Sequence, residues 1–381
     1  MVLDSEGRPH IAYGDRELGR VWYARWTGSS WHTELLNFST GVTNGISLAL
    51  DSHGLPHIVY YDYYYQSLWY ANNTTGQWRG ERLTWSGGAG DAGLEASMVL
   101  DSHDMPHISY YWCDVTVMDN CYIEYRFRDW TTLNWSGGIL FGTGAGIKFF
   151  DWWSYIGTSI DLDSKGYPHI AAFAWRYLAY VYFDGLSWQY DYIDCMPEYT
   201  VKGKPSLVLD RDDYPHISYY NDLDDPPIGF GWLIYAVRGT THWSCEYVDR
   251  TPAVASSIVL DSRERPHIFF ANGTHLTHTV VDGSHVSETV DPEPEPNGYS
   301  RISAVIGAND SMHVVYWHHD LDLRITSLRY AHRRGTLHLT AERLSSDGGP
   351  HVFALPARNS NALEPKSRID RMVDFRHMKP R

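Results

Sequence analysis

No run of 18 apolar residues occurs anywhere in this 381-residue chain, so no helix of membrane-spanning length is encoded. Long stretches with helical periodicity are missing too. Cysteine is scarce: Cys113, Cys121, Cys195 and Cys245 show neither C-x-x-C nor Cys/His spacing, which argues against a structural zinc. Lys and Arg number 31 against 46 Asp and Glu, a net charge of −15. Without clustered cations, nucleic acid and anionic membrane surfaces are poor partners. The exception is 358–381, with seven basic residues against three acidic. This stretch lacks strand or helix periodicity, so 346–381 is expected to be a basic, disordered tail. No secretion signal is visible at Met1. The chain opens inside a repeat, so a clipped start and an extracellular or cell-surface location are the expectation.

What the chain has in abundance is Gly (32), Tyr (28) and Trp (16), and a repeated phrase. An apolar run, Asp-Ser, a turn and Pro-His-Ile with aromatics recur around His10, His57, His107, His169, His216, His267 and His313. The intervals are 47, 50, 62, 47, 51 and 46 residues. A period in this range marks a propeller or solenoid. The second unit shows why. Leu48-Ala49-Leu50 leads into Asp51-Ser52-His53-Gly54-Leu55-Pro56, where Asp and Ser bond their own backbone, Gly supplies positive φ and Pro stops the ladder. Three further β-rich runs follow, at His57–Tyr61, Ser67–Ala71 and Trp78–Leu83. Four antiparallel strands in each of seven units predict an all-β, seven-bladed β-propeller. The blades fall at roughly 1–36, 45–84, 95–141, 156–194, 204–249, 255–291 and 299–345. A faint echo at Gly349-Pro350-His351-Val352 reads as a decayed repeat within the tail.

Seven equivalent histidines argue for structure, because a reaction centre needs one asymmetric constellation. The repeated Asp and fourth-strand Trp read the same way; function should lie where the pattern breaks. The turns after the first and third strands are short and nearly constant. The connections after the second and fourth vary widely, and alternation places all of them on one rim, where binding residues concentrate. That rim collects Tyr63, Tyr64, Tyr65, Trp85, Trp112, Trp152, Trp153, Trp175, Trp232 and Trp317. Such rings stack on sugar faces, or else plug between blades. Cys113 and Cys121 flank a predicted hairpin mouth, forming a disulfide in an oxidising compartment and two thiols otherwise.

Two loops break the repeat most sharply: His318-His319-Asp320-Leu321-Asp322 with Arg324, and Asn221-Asp222-Leu223-Asp224-Asp225. Asp222, Asp224, Asp320 and Asp322 are oxygen ligands of a type that suits Ca²⁺. Neither loop has the Gly-spaced, Glu-terminated pattern of a helical calcium hand, and a solvated acidic loop is the preferred reading. No other cofactor is expected. His318 or His319 beside Asp320 is a candidate general base.

The phrase Leu-Asp-Ser-x-Gly-x-Pro-His-Ile-x-Tyr-Tyr resembles the repeat of sialidase-like, BNR-type propellers over all seven blades. The resemblance implies the fold, and by analogy glycan chemistry. The sialidase Asp-box, Ser-x-Asp-x-Gly-x-x-Trp, is not present in that form. Seven-bladed lyases of the ulvan lyase type use His and Tyr on uronic acids with a cation on the carboxylate. By that likeness His318, His319, Arg324, Tyr63 and Arg176 are the candidates for a catalytic role. The leading expectation is a monomeric, non-catalytic recognition propeller for glycans, or for a protein ligand. The alternative is a polysaccharide lyase or glycoside hydrolase with a His/Tyr/Arg site near the central channel.

Overall fold

The computed structural model describes residues 1–15, 19–38, 41–85, 90–114, 120–142, 157–174, 177–193, 195, 200–222, 231–240, 242–253, 255–271, 275–283, 285–291, 301–320, 325–333, 339–344 and 353–354. Pro cannot donate to a strand ladder, so the recurrent Pro marks where each second strand begins. Those second strands are Pro9–Asp15, Pro56–Asp62, Pro106–Asp114, Pro168–Ala174, Pro215–Asp222, Pro266–Ala271 and Met312–Asp320, where Met stands in for Pro. Each lies second in an antiparallel sheet of sequential strands. The seven sheets make an all-β, seven-bladed propeller.

First strands run Val2–Leu3, Val42–Leu50, Gly90–Leu100, Thr158–Leu162, Thr200–Leu209, Ser256–Leu260 and Ile302–Ile306. Several begin earlier than the repeat phrase suggested, because the strand continues through residues that do not repeat. Successive first strands touch one another and therefore line the axis. Fourth strands lie outermost. Blade seven adds a fifth strand, Phe353–Ala354, paired with Leu339–Leu344. Part of the region expected to be a loose tail thus covers an exposed sheet edge, which would otherwise present unpaired N–H and C=O groups.

The Asp turn is the local unit that positions everything else. Asp4 Oδ1 accepts from the amides of Glu6 and Arg8, and the same pattern recurs at Asp51, Asp101, Asp163, Asp210 and Asp261. The fourth turn residue needs positive φ. It is Gly in blades one, two and four, but Asp104, Asp213 and Glu264 sit there in blades three, five and six. The left-handed conformation costs an L-residue roughly 1–2 kcal/mol, and the structure shows what offsets it. Asp104 accepts from Ser52 N and Oγ of the preceding blade, both at 2.7 Å. Asp213 does the same for Ser164, and Asp310 of blade seven for Ser262.

Two further contacts step around the ring. A first-strand serine accepts an amide from the next blade: Ser47 from Met98, Ser97 from Ile160, Ser159 from Leu207, Ser206 from Ile258 and Ser257 from Ala304. Farther out, a fourth-strand Trp meets the third-strand Tyr of the preceding blade edge-on, as in Trp78–Tyr23, Trp135–Tyr70, Trp188–Tyr125 and Trp243–Tyr180. Blade seven joins blade one by the same devices, Trp31–Tyr330 at 5.6 Å and the Met1 amine donating to Ser303 Oγ at 3.0 Å. No strand is exchanged between the ends among the described residues. Among the described residues the closing contacts are side-chain packing and this one hydrogen bond from the Met1 amine.

Candidate functional site

The repeated histidines are the most chemically suggestive groups in the chain, and the structure assigns them to the scaffold. His10 Nε2 lies 3.5 Å from Asp4 Oδ2, while its Nδ1 meets the Tyr23 hydroxyl at 2.5 Å. His57 with Tyr70, His107 with Tyr125, His169 with Tyr180, His216 with Tyr235 and His313 with Tyr330 repeat the Nδ1 contact. One tautomer serves the first five: Nε2–H faces the turn carboxylate and Nδ1 accepts the tyrosine proton. Burial lowers the pKa of His10, His57, His107, His169 and His216, against the opposing pull of each turn aspartate. Burial likewise pushes Tyr23, Tyr70, Tyr125, Tyr180 and Tyr235 up. All are buried between strands, out of reach of a ligand.

Blade six departs from the rule. His267 Nδ1 faces His278 Nε2 at 2.9 Å, and His278 Nδ1 faces Glu288 Oε1 at 2.9 Å. With Asp261 Oδ2 at 3.3 Å from His267 Nε2, four groups form a chain of three contacts. The His–His contact replaces the His–Tyr contact of the other blades.

Exposed aromatics occur on both rims and on the outer strands, Trp130 on the rim of short turns and Tyr190 and Tyr192 in a fourth strand, but the variable rim of blade two holds the densest group. Tyr63, Tyr64 and Tyr65 follow its second strand, and Trp85 follows its fourth, Arg79–Arg82. Their exposures are 60%, 74%, 42% and 78%, which removes them from any core role. Arg82 holds two of them, Tyr65 and Trp85. Its guanidinium lies 4.5 Å from the Trp85 ring centroid and 5.5 Å from that of Tyr65, and donates to the carbonyls of Thr84 and Tyr65. Tyr64 meets Tyr65 edge-on at 5.3 Å. The Asp62 carboxylate, fully buried, accepts the Tyr65 amide at 3.0 Å and so fixes the base of the loop.

The remaining sequence candidates are scattered. Trp112 is half-buried against Tyr122 and the blade-two core. Trp232 is half-buried and packs edge-on to Tyr247, with Arg250 4.7 Å from the Tyr247 centroid. Trp317 belongs to the seam between blades seven and one, with Ile11, Trp31 and Tyr330. Trp152, Trp153, Trp175, Arg176, Asp224, Asp322 and Arg324 lie outside the described residues. The backbones of Asp222, His318, His319 and Asp320 end second strands, while their side chains lie outside the described set. No group of three or more metal-ligating side chains occurs among the described residues.

Cys113 and Cys121 form a disulfide, as one of the two sequence alternatives held. Cys195 and Cys245 form a second, joining blade four to blade five. Sequence reasoning left that pair unassigned because its partners lie 50 residues apart. It also missed Glu95, Lys204 and Arg301, which stand six residues before the turn position in blades three, five and seven. Blades two, four and six have Gly45, Gly157 and Ala255 there. Aligning the repeats on their aspartates would have exposed this alternation.

No protein-family model matches the chain, and no curated protein matches it in sequence. Among solved structures, AofleA from Arthrobotrys oligospora superposes with a TM-score of 0.52 at 13% identity, covering 93% of this chain and 92% of its own. The alpha-L-arabinanase of Penicillium chrysogenum, solved with arabinobiose, gives a TM-score of 0.54 at 10% identity over 76% of this chain and 92% of its own. Polysaccharide lyase Uly1 gives 0.51 at 11% identity over 85% and 87%. At these identities the likeness concerns the fold.

Proposed function

We propose that this propeller is a non-catalytic glycan-recognition module whose ligand rests on the blade-two aromatic group. The observation that carries this reading is four exposed rings of one blade on the variable rim, two of them, Tyr65 and Trp85, braced by one arginine. A ring in water has every reason to bury itself unless a partner covers it, and sugar faces present matching apolar C–H surface. Arg82 lowers the entropic cost of binding by holding Tyr65 and Trp85 in place beforehand. Several of the superposing proteins act on carbohydrates by name, which is consistent with this reading. An enzymatic alternative would draw on His318, His319, Asp320, Arg324, Tyr63 and Arg176; of these only the Tyr63 side chain lies among the described residues.

Pairing of all four cysteines in disulfides supports an extracellular or cell-surface location. A glycan array probed with the folded chain tests the proposal. Binding should occur, and Tyr64→Ala and Trp85→Ala should each weaken it by up to about tenfold while leaving the melting temperature unchanged, as stacking losses of about 0.5–1.5 kcal/mol imply. Absence of any glycan signal, or binding indifferent to both substitutions, would refute it.

A further inference from the structure

The exposed rings of blade two stand over a buried charge that no described side chain balances. Asp62 ends the second strand and pairs across the ladder with Ser67, the first residue of the third strand, Ser67–Asn72. Residues opposite each other in an antiparallel pair share a face. This face looks toward blade one, where Tyr60 and Trp69, two residues away from Asp62 and Ser67, pack with Val21, Tyr23 and Leu36. Asp62 and Ser67 are both fully buried. Asp62 Oδ1 accepts the Tyr65 amide, but Oδ2 and Ser67 Oγ make no hydrogen bond, to each other or to anything else. Trp69 Nε1 is buried without a partner on the same face. No cationic side chain among the described residues forms an ion pair with Asp62, and Arg82 directs its donors to the carbonyls of Thr84 and Tyr65 instead.

A carboxylate taken out of water is stable only when a counter-charge reaches it. A proton on Oδ2 would supply the charge and leave its O–H with no acceptor in reach. A metal ion answers both needs. Hard cations hold oxygen ligands at about 2.3–2.6 Å, and so bridge oxygens that are not placed to hydrogen-bond each other. Carbonyls and waters complete such a shell, and a water ligand can accept from Trp69 Nε1. The connection from the preceding blade closes over the carboxylate: a Cβ at Gly41 would lie 2.9 Å from Asp62 Oδ1. Blade five supplies the contrast. Asn221 stands at the equivalent position, equally buried, and its Oδ1 accepts the Trp232 amide at 2.9 Å. Its other terminal atom, Nδ2, is a neutral donor and cannot ligate a cation. Fixing the loop therefore needs only the shared oxygen, and the charge on Asp62 is additional.

From this set of atoms we infer that blade two binds a hard metal cation between Asp62 Oδ2 and Ser67 Oγ, at the base of the loop that carries Tyr63, Tyr64 and Tyr65. The ion neutralises the buried carboxylate and ties the end of the second strand to the start of the third. It needs no ligand on the rim, so the inference stands apart from the glycan reading.

The test melts the intact chain, stripped with EDTA and dialysed into choline chloride, after adding NaCl, KCl or CaCl₂ at matched ionic strength. One of the three should raise the melting temperature saturably, by about 2–4 °C, and so identify the ion. Asp62→Asn should abolish that rise, and blade five shows that an amide fits the position. In choline chloride the same variant should melt at or above the parent temperature, because it removes an uncompensated charge. An aspartate that only fixes the loop predicts neither that gain nor any dependence on the cation. Ser67→Ala should move the cation midpoint about tenfold higher, which keeps the test valid if Asp62→Asn does not fold. Melting that ignores the identity of the cation, or a rise that survives Asp62→Asn, overturns the inference. Where that variant does not fold, a midpoint unmoved in Ser67→Ala does so. Array signals that persist without any cation response sink the ion and spare the platform; a cation response lost in Asp62→Asn alongside a silent array does the opposite.

Discussion

Acidifying the solution from about pH 7 to about pH 5.5 should destabilise the whole ring, because its repeated histidines are stored as neutral imidazoles. His10, His57, His107, His169, His216 and His267 all have pKa values lowered in the fold, chiefly by burial. Their unfolded counterparts take up protons as the pH falls through about 6.5. Below that value the unfolded chain binds more protons, so the stabilisation present above it is lost on the way down. Each ring that stays neutral contributes a slope approaching about 1.4 kcal/mol per pH unit, and six together approach about 8. Total stability of a domain is only about 5–15 kcal/mol, so the effect decides the outcome. Carboxylates do not cancel it. Asp4 and Asp104 are held low by their hydrogen bonds despite some burial, and Asp261 stays at about 2, so their stabilisation disappears only at much lower pH. Asp91 and Asp161, raised by burial, act in the opposite sense, but only as the pH nears the carboxylate range. Urea unfolding at closely spaced pH values measures the slope directly. In His57→Gln it should fall by close to one proton. A melting temperature that stays flat across this interval, or a slope unchanged in His57→Gln, would refute the reasoning.

Other outcomes follow from single contacts. Arg329 is buried and donates to Asp291 Oδ2 at 2.6 Å, beside the Tyr316 hydroxyl. Arg329→Met would strand that carboxylate in the core, costing about 3–5 kcal/mol in chemical denaturation. His278→Tyr would give blade six the His–Tyr hydrogen bond of the other blades in place of two facing imidazoles, so its melting temperature should rise by an amount equivalent to about 1 kcal/mol. Replacing Cys195 and Cys245 by Ala should cost about 4 kcal/mol, against about 2.5 for Cys113 and Cys121, because the cross-linked loop is far longer. Comparing the two double variants by thermal melting checks the order.

Much of the wheel was legible in one dimension. Asp-Ser, the positive-φ residue and Pro-His-Ile are local chemistry. A turn whose aspartate bonds its own backbone, and a Pro that starts a strand, act through neighbours only a few residues away. Repeating them seven times dictates seven similar sheets. The identification of the histidines as scaffold also needed only their number. What lay beyond sequence was every relation between units. Ser52 with Asp104, Trp31 with Tyr330 and Cys195 with Cys245 meet because blades stand side by side, across separations that no local pattern encodes. The blade-two rings were visible as a Tyr run, but only their exposure and the arginine beneath them distinguish a platform from a plug. Trp317, equally aromatic in the sequence, turned out to belong to the seam. Glu95, Lys204 and Arg301 show the division most clearly. Each is an ordinary charged residue in its own repeat, and closing the ring is what brings equivalent positions of three distant first strands to one axis.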